Sequence, residues 1–365
     1  KTGAQDDVLT DDTDPDESPT LTVTAIQPSG GSSSNVSSGS TYDSSGTSVT
    51  GTYGTLTIGA DGSYTYTADQ AAADALDAGD TEDDVFTYTV SDGANTTTAT
   101  ITITVTGIND DPVAQNDVGV IAEDSTLTVA NGANANETDD TGSTYNATGE
   151  HSGDVINTSS TTHYDTDADG DTIVVSSVRT GSVEGSGTAG TLGQALTGTY
   201  GQLTLNANGS YTYVANQTAA DALDAGDTED DVFNYTISDG NGGTDIGTIT
   251  ITVIGINDAP VAQDDVGVIA EGSTLTVANS ANATLTGDSY DATGENSGDV
   301  IDTSSSSHTD SDADASSSLS ITHVKLSGGS NSTVASSSSY NSNGTSITGT
   351  YGTLTIGADG SYTYA

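Results

Sequence analysis

The sequence GTYGTLTIGADGSYTY occupies residues Gly51–Tyr66 and returns without a change at Gly349–Tyr364. A close variant, GTYGQLTLNANGSYTY, lies between them at Gly198–Tyr213. Copies of one stretch at a spacing of roughly 150 residues indicate an array of one repeated domain. A residue that recurs in every copy is therefore expected to belong to a shared scaffold, and not to one unique active site.

Apolar and polar residues alternate within the repeated stretch, in Thr55–Ile58 and again in Ser63–Tyr66. This period of two places one face of a strand on a core and the other in water. Asp61-Gly62, between the two runs, favours a hairpin turn. Only Gln70–Ala78 has a helix-like composition, and it is short. The patterns predict an all-β chain of tandem antiparallel β-sandwich repeats, of the immunoglobulin- or cadherin-like kind.

Other repeated blocks set the boundaries. Ala72–Phe86 returns unchanged at Ala219–Phe233, and INDDP at Ile108–Pro112 returns as INDAP at Ile256–Pro260. We predict three repeats: repeat 1 at 1–108, clipped at its N-terminus; repeat 2 at 109–256, with a long Ser/Gly/Asn-rich insert; and repeat 3 at 257–365, truncated at its C-terminus. The offset between repeats and chain ends indicates an excerpt of a longer polypeptide.

Two kinds of connecting segment can be read from the sequence: the junctions between repeats and the loops between strands within a repeat. The junctions contain Pro112 and Pro260 and no flexible Gly/Ser spacer, which predicts stiff end-to-end coupling of the domains. Ser/Gly/Thr-rich segments between strands, such as Gly30–Ser48, Gly142–Thr162 and Gly328–Gly344, are expected to be exposed loops.

The charge is strongly acidic, with 53 Asp and Glu against 3 Lys and Arg and a formal net charge of −50. Such a chain repels nucleic acid and anionic membrane surfaces, which excludes both as expected partners. No apolar run approaches the roughly 20 residues of a membrane span. The acidity has two explanations: solubility in salt, or carboxylates neutralised by divalent cations. Because the chain has no cysteine, disulfides cannot stabilise it, and bound metal ions are the candidate alternative.

Three loops share an Asp-x-Asp-x-Asp spacing. Alternate carboxylates in a tight loop converge and repel one another, unless a cation such as Ca²⁺ takes them among its 6–8 oxygen ligands at about 2.3–2.6 Å. A solvated acidic turn is the alternative. The candidate ligands are Asp12, Asp14 and Asp16; Asp165, Asp167 and Asp169; and Asp310, Asp312 and Asp314.

A second acidic pattern follows each junction, and its members are expected to meet around an ion between domains. Capping of turns by Asn and Asp side chains explains the pattern equally well. The two sets are Asn109, Asp110, Asp117 and Glu123, then Asn257, Asp258, Asp265 and Glu271.

Together, NDxPVA at the junction, the downstream Glu, DxDxD before a strand, GTYGTLTIGADGSYTY and DVFTYTVSDG resemble VCBS repeats. The resemblance covers nearly the whole chain. It implies cadherin- or immunoglobulin-like domains of giant secreted bacterial surface proteins, with bound Ca²⁺ and an extracellular adhesin, biofilm or filament role. The stretch between Glu123 and Asp165 is longer than usual for that family.

The sequence thus predicts a structural region that extends the parent protein and spaces its parts. Its expected partners are the neighbouring repeats and, where the chain polymerises, identical subunits of a fibre. The alternatives are a module that binds glycans or proteins, or a stalk for an enzyme. His163 and His308 lie two residues before Asp loops, but no His/Cys cluster and no Ser–His–Asp grouping recurs, so we predict no enzymatic activity.

Overall fold

The computed structural model describes residues 7–15, 20–136, 149–156, 163–285, 294–301 and 308–365. Nearly all the regular secondary structure in these residues is β-strand, and the two helices are single turns in the Ala-rich segments. The prediction of tandem all-β sandwiches is confirmed, and we keep the names repeat 1, repeat 2 and repeat 3 for the predicted units.

Repeat 1 contains two packed sheets, ordered β2-β1-β6-β7 and β3-β4-β5. Val23, Leu56, Phe86 and Tyr88 are buried between them. The elements are β1 Thr22–Pro28, β2 Ser34–Asn35, β3 Thr47–Thr50, β4 Thr55–Ile58, β5 Tyr64–Thr67, α1 Ala71–Asp74, β6 Thr81–Ser91 and β7 Thr96–Thr106.

Repeat 2 has the largest core, in which Tyr213, Phe233 and Tyr235 have no exposed surface. Its sheets are ordered β10-β8-β16-β15-β11 and β12-β13-β14-β9. The elements are β8 Asp117–Ala122, β9 Thr126–Val129, β10 Glu150–His151, β11 Val174–Thr180, β12 Ala195–Thr197, β13 Gln202–Leu205, β14 Tyr211–Val214, α2 Thr218–Asp221, β15 Thr228–Ser238 and β16 Thr244–Ile254.

One pairing in repeat 2 is parallel, unlike the antiparallel pairs around it. β8 and β16 run side by side in the same direction, from Ile249↔Asp117 to Ile254↔Ala122. Since β8 opens the repeat and β16 closes it, both strands run from the repeat 1 end of the sandwich toward repeat 3. The two ends of β8 therefore lie at opposite ends of repeat 2.

Repeat 3 contains a sheet ordered β17-β22-β21-β20 and the pair β18-β19. Leu275, Val334 and Tyr362 are buried in its smaller core. The sequence ends at Ala365, before any counterpart of β15 and β16. The strands are β17 Leu275–Val277, β18 His323–Val324, β19 Ser332–Thr333, β20 Thr345–Thr348, β21 Thr353–Ile356 and β22 Tyr362–Tyr364.

The repeated GTYG stretch is a scaffold. In repeat 2 the buried carboxylate of Asp231 accepts hydrogen bonds from the backbone N–H groups of Thr199, Tyr200 and Gly201 at 3.0–3.1 Å and from the Tyr213 hydroxyl at 2.8 Å. Asp84 does the same in repeat 1. A Cβ on Gly201 would lie 2.4 Å from the Tyr213 ring, so the turn requires glycine.

The expectation that the Ser/Gly/Thr-rich segments are exposed loops is wrong in part, and each of the three named segments contains buried residues. Part of the segment Gly142–Thr162 was expected to be exposed, yet in the described residues 149–156 Ser152, Asp154 and Val155 are buried. Val155 belongs to the core of repeat 2, and its N–H donates to the carbonyl of Gly209 at 3.1 Å. The apolar side chain holds this short piece of the insert against the sandwich. The rest of that segment lies outside the described residues.

Candidate metal sites at the repeat junctions

Junction 2, between repeats 2 and 3, gathers three acids from three parts of the chain. Glu123 follows β8, Asp258 lies in the connecting segment, and Asp314 belongs to the third Asp loop. Each offers a carboxylate oxygen, and these oxygens lie within 4.8 Å of one another. The Ile256 N–H donates to Glu123 Oε1 at 2.5 Å, and the Asp258 N–H donates to Asp314 Oδ2 at 3.1 Å. Backbone bonds thus hold both carboxylates in place.

These contacts leave acceptors without donors at junction 2. Glu123 is fully buried, and its Oε2 atom has no hydrogen-bond partner; neither has Asp314 Oδ1. Burial, and after it the charges of Asp258 and Asp314, raises the pKa of Glu123. Buried acceptors facing like charges are the electrostatic condition that a cation relieves.

Junction 1, between repeats 1 and 2, has a related arrangement. Asp167, Asp171 and Asp239 place carboxylate oxygens within 4.8 Å of one another. Two residues of the connecting segment join them. The Asn109 side-chain amide donates to Asp239 Oδ2 at 2.8 Å, and the Asp110 N–H donates to Asp169 Oδ2 at 2.8 Å. The buried atoms Asn109 Oδ1, Asp167 Oδ2 and Asp169 Oδ1 have no hydrogen-bond partner.

The structure divides the predicted acidic sets differently from the expected grouping. Asp117 and Glu123 do not meet, because β8 separates them by six residues, about 20 Å at the usual strand rise. Glu123 joins the following junction instead, and Asp117 turns into repeat 2. In repeat 3, Asp265 bonds the Ser297 hydroxyl at 2.9 Å, and Glu271 is exposed.

The first Asp of each complete Asp loop also turns inward. Asp165 Oδ1 accepts the Gln115 N–H at 2.7 Å, and Asp310 Oδ1 accepts the Gln263 N–H at 2.7 Å. Both residues are buried. Of the three acids in each of these loops, which are predicted to share one ion, only Asp167 and Asp314 belong to the groups of converging carboxylates.

The remaining predicted ligands lie at the edges of these groups. Asn257 donates to the carbonyl of its neighbour Asp258 at 2.5 Å, and Asp312 Oδ1 accepts the Asp314 N–H at 3.0 Å. In repeat 1, Asp12 accepts the Tyr88 hydroxyl at 3.2 Å, and Asp14 is partly buried. Asp16 lies outside the described residues.

Sequence reasoning missed acids that the structure brings to the junctions. Asp171 and Asp239 belong to the junction 1 group. Asp77, just after α1, is close enough that the charges of Asp171 and Asp169 add to desolvation in raising its pKa. Its counterpart Asp224 contacts Ser316 across junction 2. The unchanged return of Ala72–Phe86, which carries Asp77, was the available signal.

The donor set fits calcium. Every converging group is an oxygen, the ligand type that Ca²⁺ takes, and several oxygens are buried without a donor. Of the three basic residues, Arg179 lies in β11 and donates to the carbonyl of Gly187 at 3.3 Å. Two histidines precede the Asp loops, but the Nδ1 atoms of His163 and His308 contact backbone carbonyl oxygens at 2.6 Å.

A family model for the bacterial cadherin-like domain matches residues 1–107 and 141–255. The chain belongs to this family. The resemblance predicted from the motifs is therefore confirmed: these are cadherin-like repeats of the kind found in bacterial surface proteins. Both matched segments end at the close of a predicted repeat, after β7 and after β16.

Two further comparisons give the relatives of this cadherin-like chain. Over 67 residues it is 37% identical to the calcium-binding lectin RapA2 of Rhizobium johnstonii; the match spans 18% of this chain and 28% of that protein. Mouse cadherin-23 EC22-24 aligns over 96% of this chain and 78% of its own, with a TM-score of 0.37 and 11% identity. The protocadherin gamma B4 extracellular domain aligns over 88% and 39%, with a TM-score of 0.31 and 10% identity.

The described parts of the chain contain no helix with the length and apolar character needed to cross a membrane.

Proposed function

We propose that this cadherin-like chain is a calcium-stiffened spacer region of an extracellular bacterial surface protein, with no enzymatic activity of its own. Its repeats act as partners of one another, and assembly of identical subunits into a fibre would extend the same role. The proposed repeat boundaries are those predicted from the sequence, at 108 and 256. The match to RapA2, whose name describes a calcium-binding lectin, supports the choice of cation.

One observation carries the proposal: Glu123, Asp258 and Asp314 converge at junction 2 although they come from repeat 2, the connecting segment and repeat 3. Calcium held there would replace repulsion between two repeats by attraction of both to one charge. The proposed ligands at junction 2 are Glu123, Asp258 and Asp314, with Asn257 and Asp312 beside them. Those at junction 1 are Asn109, Asp110, Asp167, Asp169, Asp171 and Asp239.

The chain's own residues set the geometry for this role. The Ile256 and Asp258 N–H groups fix Glu123 and Asp314, so little side-chain freedom is lost on ion binding. The last residues of repeat 2, from which the connecting segment continues, are also bonded within that repeat, since the Gly226 N–H donates to the carbonyl of Gly255 at 3.0 Å. Because the connecting segment is held against repeat 2 where it begins, an ion that also binds Asp314 of repeat 3 would fix the angle between the two repeats.

Small-angle scattering of the chain, with and without calcium, tests the spacer function. With calcium we expect a rod whose maximum dimension approaches three sandwiches of about 40 Å each. The double variant Glu123→Gln with Asp258→Asn should broaden the distance distribution in calcium, because junction 2 becomes a hinge. Glu271→Gln is the matched control, as Glu271 holds the position of Glu123 in repeat 3 but is exposed. A compact particle, or equal profiles for all variants, would refute the function.

The second candidate function is calcium-dependent glycan binding, favoured by the identity to RapA2 over 67 residues. It ranks second because the shared region spans 18% of the chain, whereas the acidic clusters occur at both described junctions. A glycan array probed with the chain, in calcium and in chelator, separates the two: calcium-dependent retention on defined glycans would favour a lectin.

A further inference from the structure

The buried piece 149–156 of repeat 2 has a close counterpart in repeat 3, at 294–301. The first reads GEHSGDVI, at Gly149–Ile156, and the second reads GENSGDVI, at Gly294–Ile301. The two pieces differ at one position, where repeat 2 has His151 and repeat 3 has Asn296. Because the other residues are identical, the pair isolates the effect of a single side chain.

The same backbone bonds hold both pieces in place. In each repeat the serine N–H donates to the segment that opens the repeat at 2.9 Å, and the valine N–H donates to the glycine of a hairpin turn at 3.1 Å. The pairs are Ser152–Val118 and Val155–Gly209 in repeat 2, and Ser297–Val266 and Val300–Gly360 in repeat 3. The two pieces therefore have the same place in their sandwiches.

A bend at a glycine follows the position at which the pieces differ. Gly153 has a φ of 121° and Gly298 a φ of 111°, in the region that favours glycine. The Gly153 N–H donates to His151 Nδ1 at 3.1 Å, and the Gly298 N–H donates to Asn296 Oδ1 at 3.0 Å. This bond closes the turn through which the chain passes toward the valine of the core. In repeat 2 an imidazole nitrogen thus does what an amide oxygen does in repeat 3.

The two acceptors respond differently to acid. A backbone N–H can only donate, so Nδ1 of His151 carries no proton and the proton of the neutral ring lies on Nε2. A protonated imidazole has two N–H groups and no acceptor, so it cannot keep the bond from Gly153. The amide of Asn296 does not titrate. Acidification can therefore break the closing bond in repeat 2 and leaves that of repeat 3 intact.

The surroundings of His151 oppose its protonation, since burial lowers the pKa of this half-buried ring. Other titratable groups lie in the piece itself and on the elements packed against it: Glu150, Asp154, Asp117 of β8, Asp165 of the Asp loop, Tyr211 of β14 and Tyr235 of β15. Burial raises the pKa of each of the three aspartates, so their contribution to stability grows as pH falls. The effect of His151 has the opposite sign and must be measured by comparison with asparagine at the same position.

We propose that His151 is an acid-sensitive latch, which holds the piece 149–156 on repeat 2 while its ring is neutral and releases the turn at Gly153 when the ring is protonated. A histidine with a lowered folded pKa contributes stability that is present above its unfolded value of about 6.5 and is lost as pH falls through the folded pKa. Opening would uncover one edge of β8, because the piece pairs with that strand at Glu150↔Val120 and His151↔Gly119. The latch uses no metal ion and is independent of the spacer function.

Hydrogen exchange at single amides of the whole chain, followed by NMR, tests the latch. Chelator is present throughout, so that no calcium is released on acidification. Between pH 7.5 and pH 5, exchange at the Gly153 amide, corrected for its intrinsic pH dependence, should rise by up to about 30-fold. That limit is set by an open state whose free imidazole has a pKa of about 6.5. Exchange at the Gly298 amide should not rise.

Exchanging the two residues should exchange the two responses. His151→Asn should remove the acid response at Gly153, and Asn296→His should install one at Gly298. His323→Asn, which removes an exposed histidine, is the control and should leave Gly153 as in the parent chain. An acid response at Gly153 that is the same in the parent chain and in His151→Asn would overturn the proposal.

Nitrogen NMR of the imidazole rings supplies a second measurement, which does not depend on the stability of any variant. The signals of His151 are those that disappear in His151→Asn. They should show the proton of the neutral ring on Nε2 and a pKa below 6.5. A proton on Nδ1, or a ring that titrates at or above pH 6.5, would refute the latch.

Discussion

The two junctions differ at one position that changes the sign of a contact. At junction 1, Asp171 faces Asp77, and desolvation together with the charge of Asp171 raises the pKa of Asp77. At junction 2, Ser316 stands at the position of Asp171. Its N–H donates to Asp224 Oδ1 at 3.0 Å, and its hydroxyl donates to the other oxygen of that carboxylate. One residue turns repulsion between repeats into a direct bond.

A second contact strengthens junction 2 without an ion. The Ala315 N–H donates to the carbonyl of Ala222 at 3.3 Å, so the third Asp loop is bonded to the Ala-rich segment of repeat 2. The pKa of Asp224 is lowered by the side-chain and then the backbone bond from Ser316. We therefore expect junction 2 to keep part of its order when calcium is removed, and junction 1 to lose more.

The largest expected effect is that of a chelator on junction 1. Excess chelator should raise hydrogen exchange at the Asp110 amide, which is bonded to Asp169, by about tenfold or more, because the proposed ion would be what offsets the repulsion between carboxylates there. Exchange at the Ser316 amide should rise less. Mass spectrometry of peptides covering both amides measures the difference. Equal increases would show that the direct bond at junction 2 carries no weight.

Exchanging Asp171 and Ser316 between the junctions should exchange how strongly the order of each junction depends on calcium. Ser316→Asp places a carboxylate against Asp224, so the calcium concentration at which junction 2 becomes ordered should rise a few-fold. Asp171→Ser should make the order of junction 1 less sensitive to chelator, though also weaker in calcium, since a proposed ligand is lost. Ser318→Asp, which adds the same charge at a nearby exposed site, is the control. If it matches Ser316→Asp, net charge and not the local contact explains the effect.

Acidification in the presence of chelator should change the stability of the two junctions less than calcium removal does. The change should have opposite signs at junction 1 and junction 2. Asp77 and Asp110 have raised pKa values, so their contribution to stability is fully present below the unfolded value of about 3.9 and is lost as pH rises through the folded pKa. Asp224 has a lowered pKa, so its contribution is present above that value and is lost as pH falls through the folded pKa.

Glu123 and Asp258 at junction 2 also have raised pKa values, so their contribution to stability changes with pH in the direction opposite to that of Asp224. The pH effect therefore has to be measured at single amides and not as the stability of a whole junction. Between about pH 6 and pH 4, exchange at the Asp110 amide, corrected for its intrinsic pH dependence, should slow. Exchange at the Ser316 amide should begin to quicken toward the acidic end. A common direction at both amides would remove the distinction between a repulsive and a bonded junction.

The sequence was sufficient for the fold because strand pattern and repetition act locally. Thr55–Ile58 and Ser63–Tyr66 predicted β4 and β5 closely. The sequence was not sufficient to predict which acids meet at a junction, because that depends on where the ends of the strands lie in the folded repeat. Asp117 and Glu123 looked like one set by spacing, yet β8 sends them to opposite ends of repeat 2. Whether the grouped acids hold calcium stays a prediction.

Asp154 shows a second limit of sequence reasoning. Its surroundings are rich in Ser, Thr, Gly and Asn, a composition typical of exposed loops, and only the short apolar pair Val155-Ile156 marks the buried piece. The recurrence of Gly-Asp-Val-Ile at Gly298–Ile301 was available as a signal. Two apolar residues are too few to outweigh the composition around them when a sequence is examined by itself.

The parallel pairing of β8 with β16 has a mechanical consequence. A pull on the two ends of repeat 2 draws β8 toward repeat 1 and β16 toward repeat 3, so the tension slides the strands lengthwise past each other. The six residue pairs from Ile249↔Asp117 to Ile254↔Ala122 then share the load together, and no pair can open ahead of the rest as in a zipper. Repeat 2 is thus arranged to resist stretching along the axis on which a tether would be loaded.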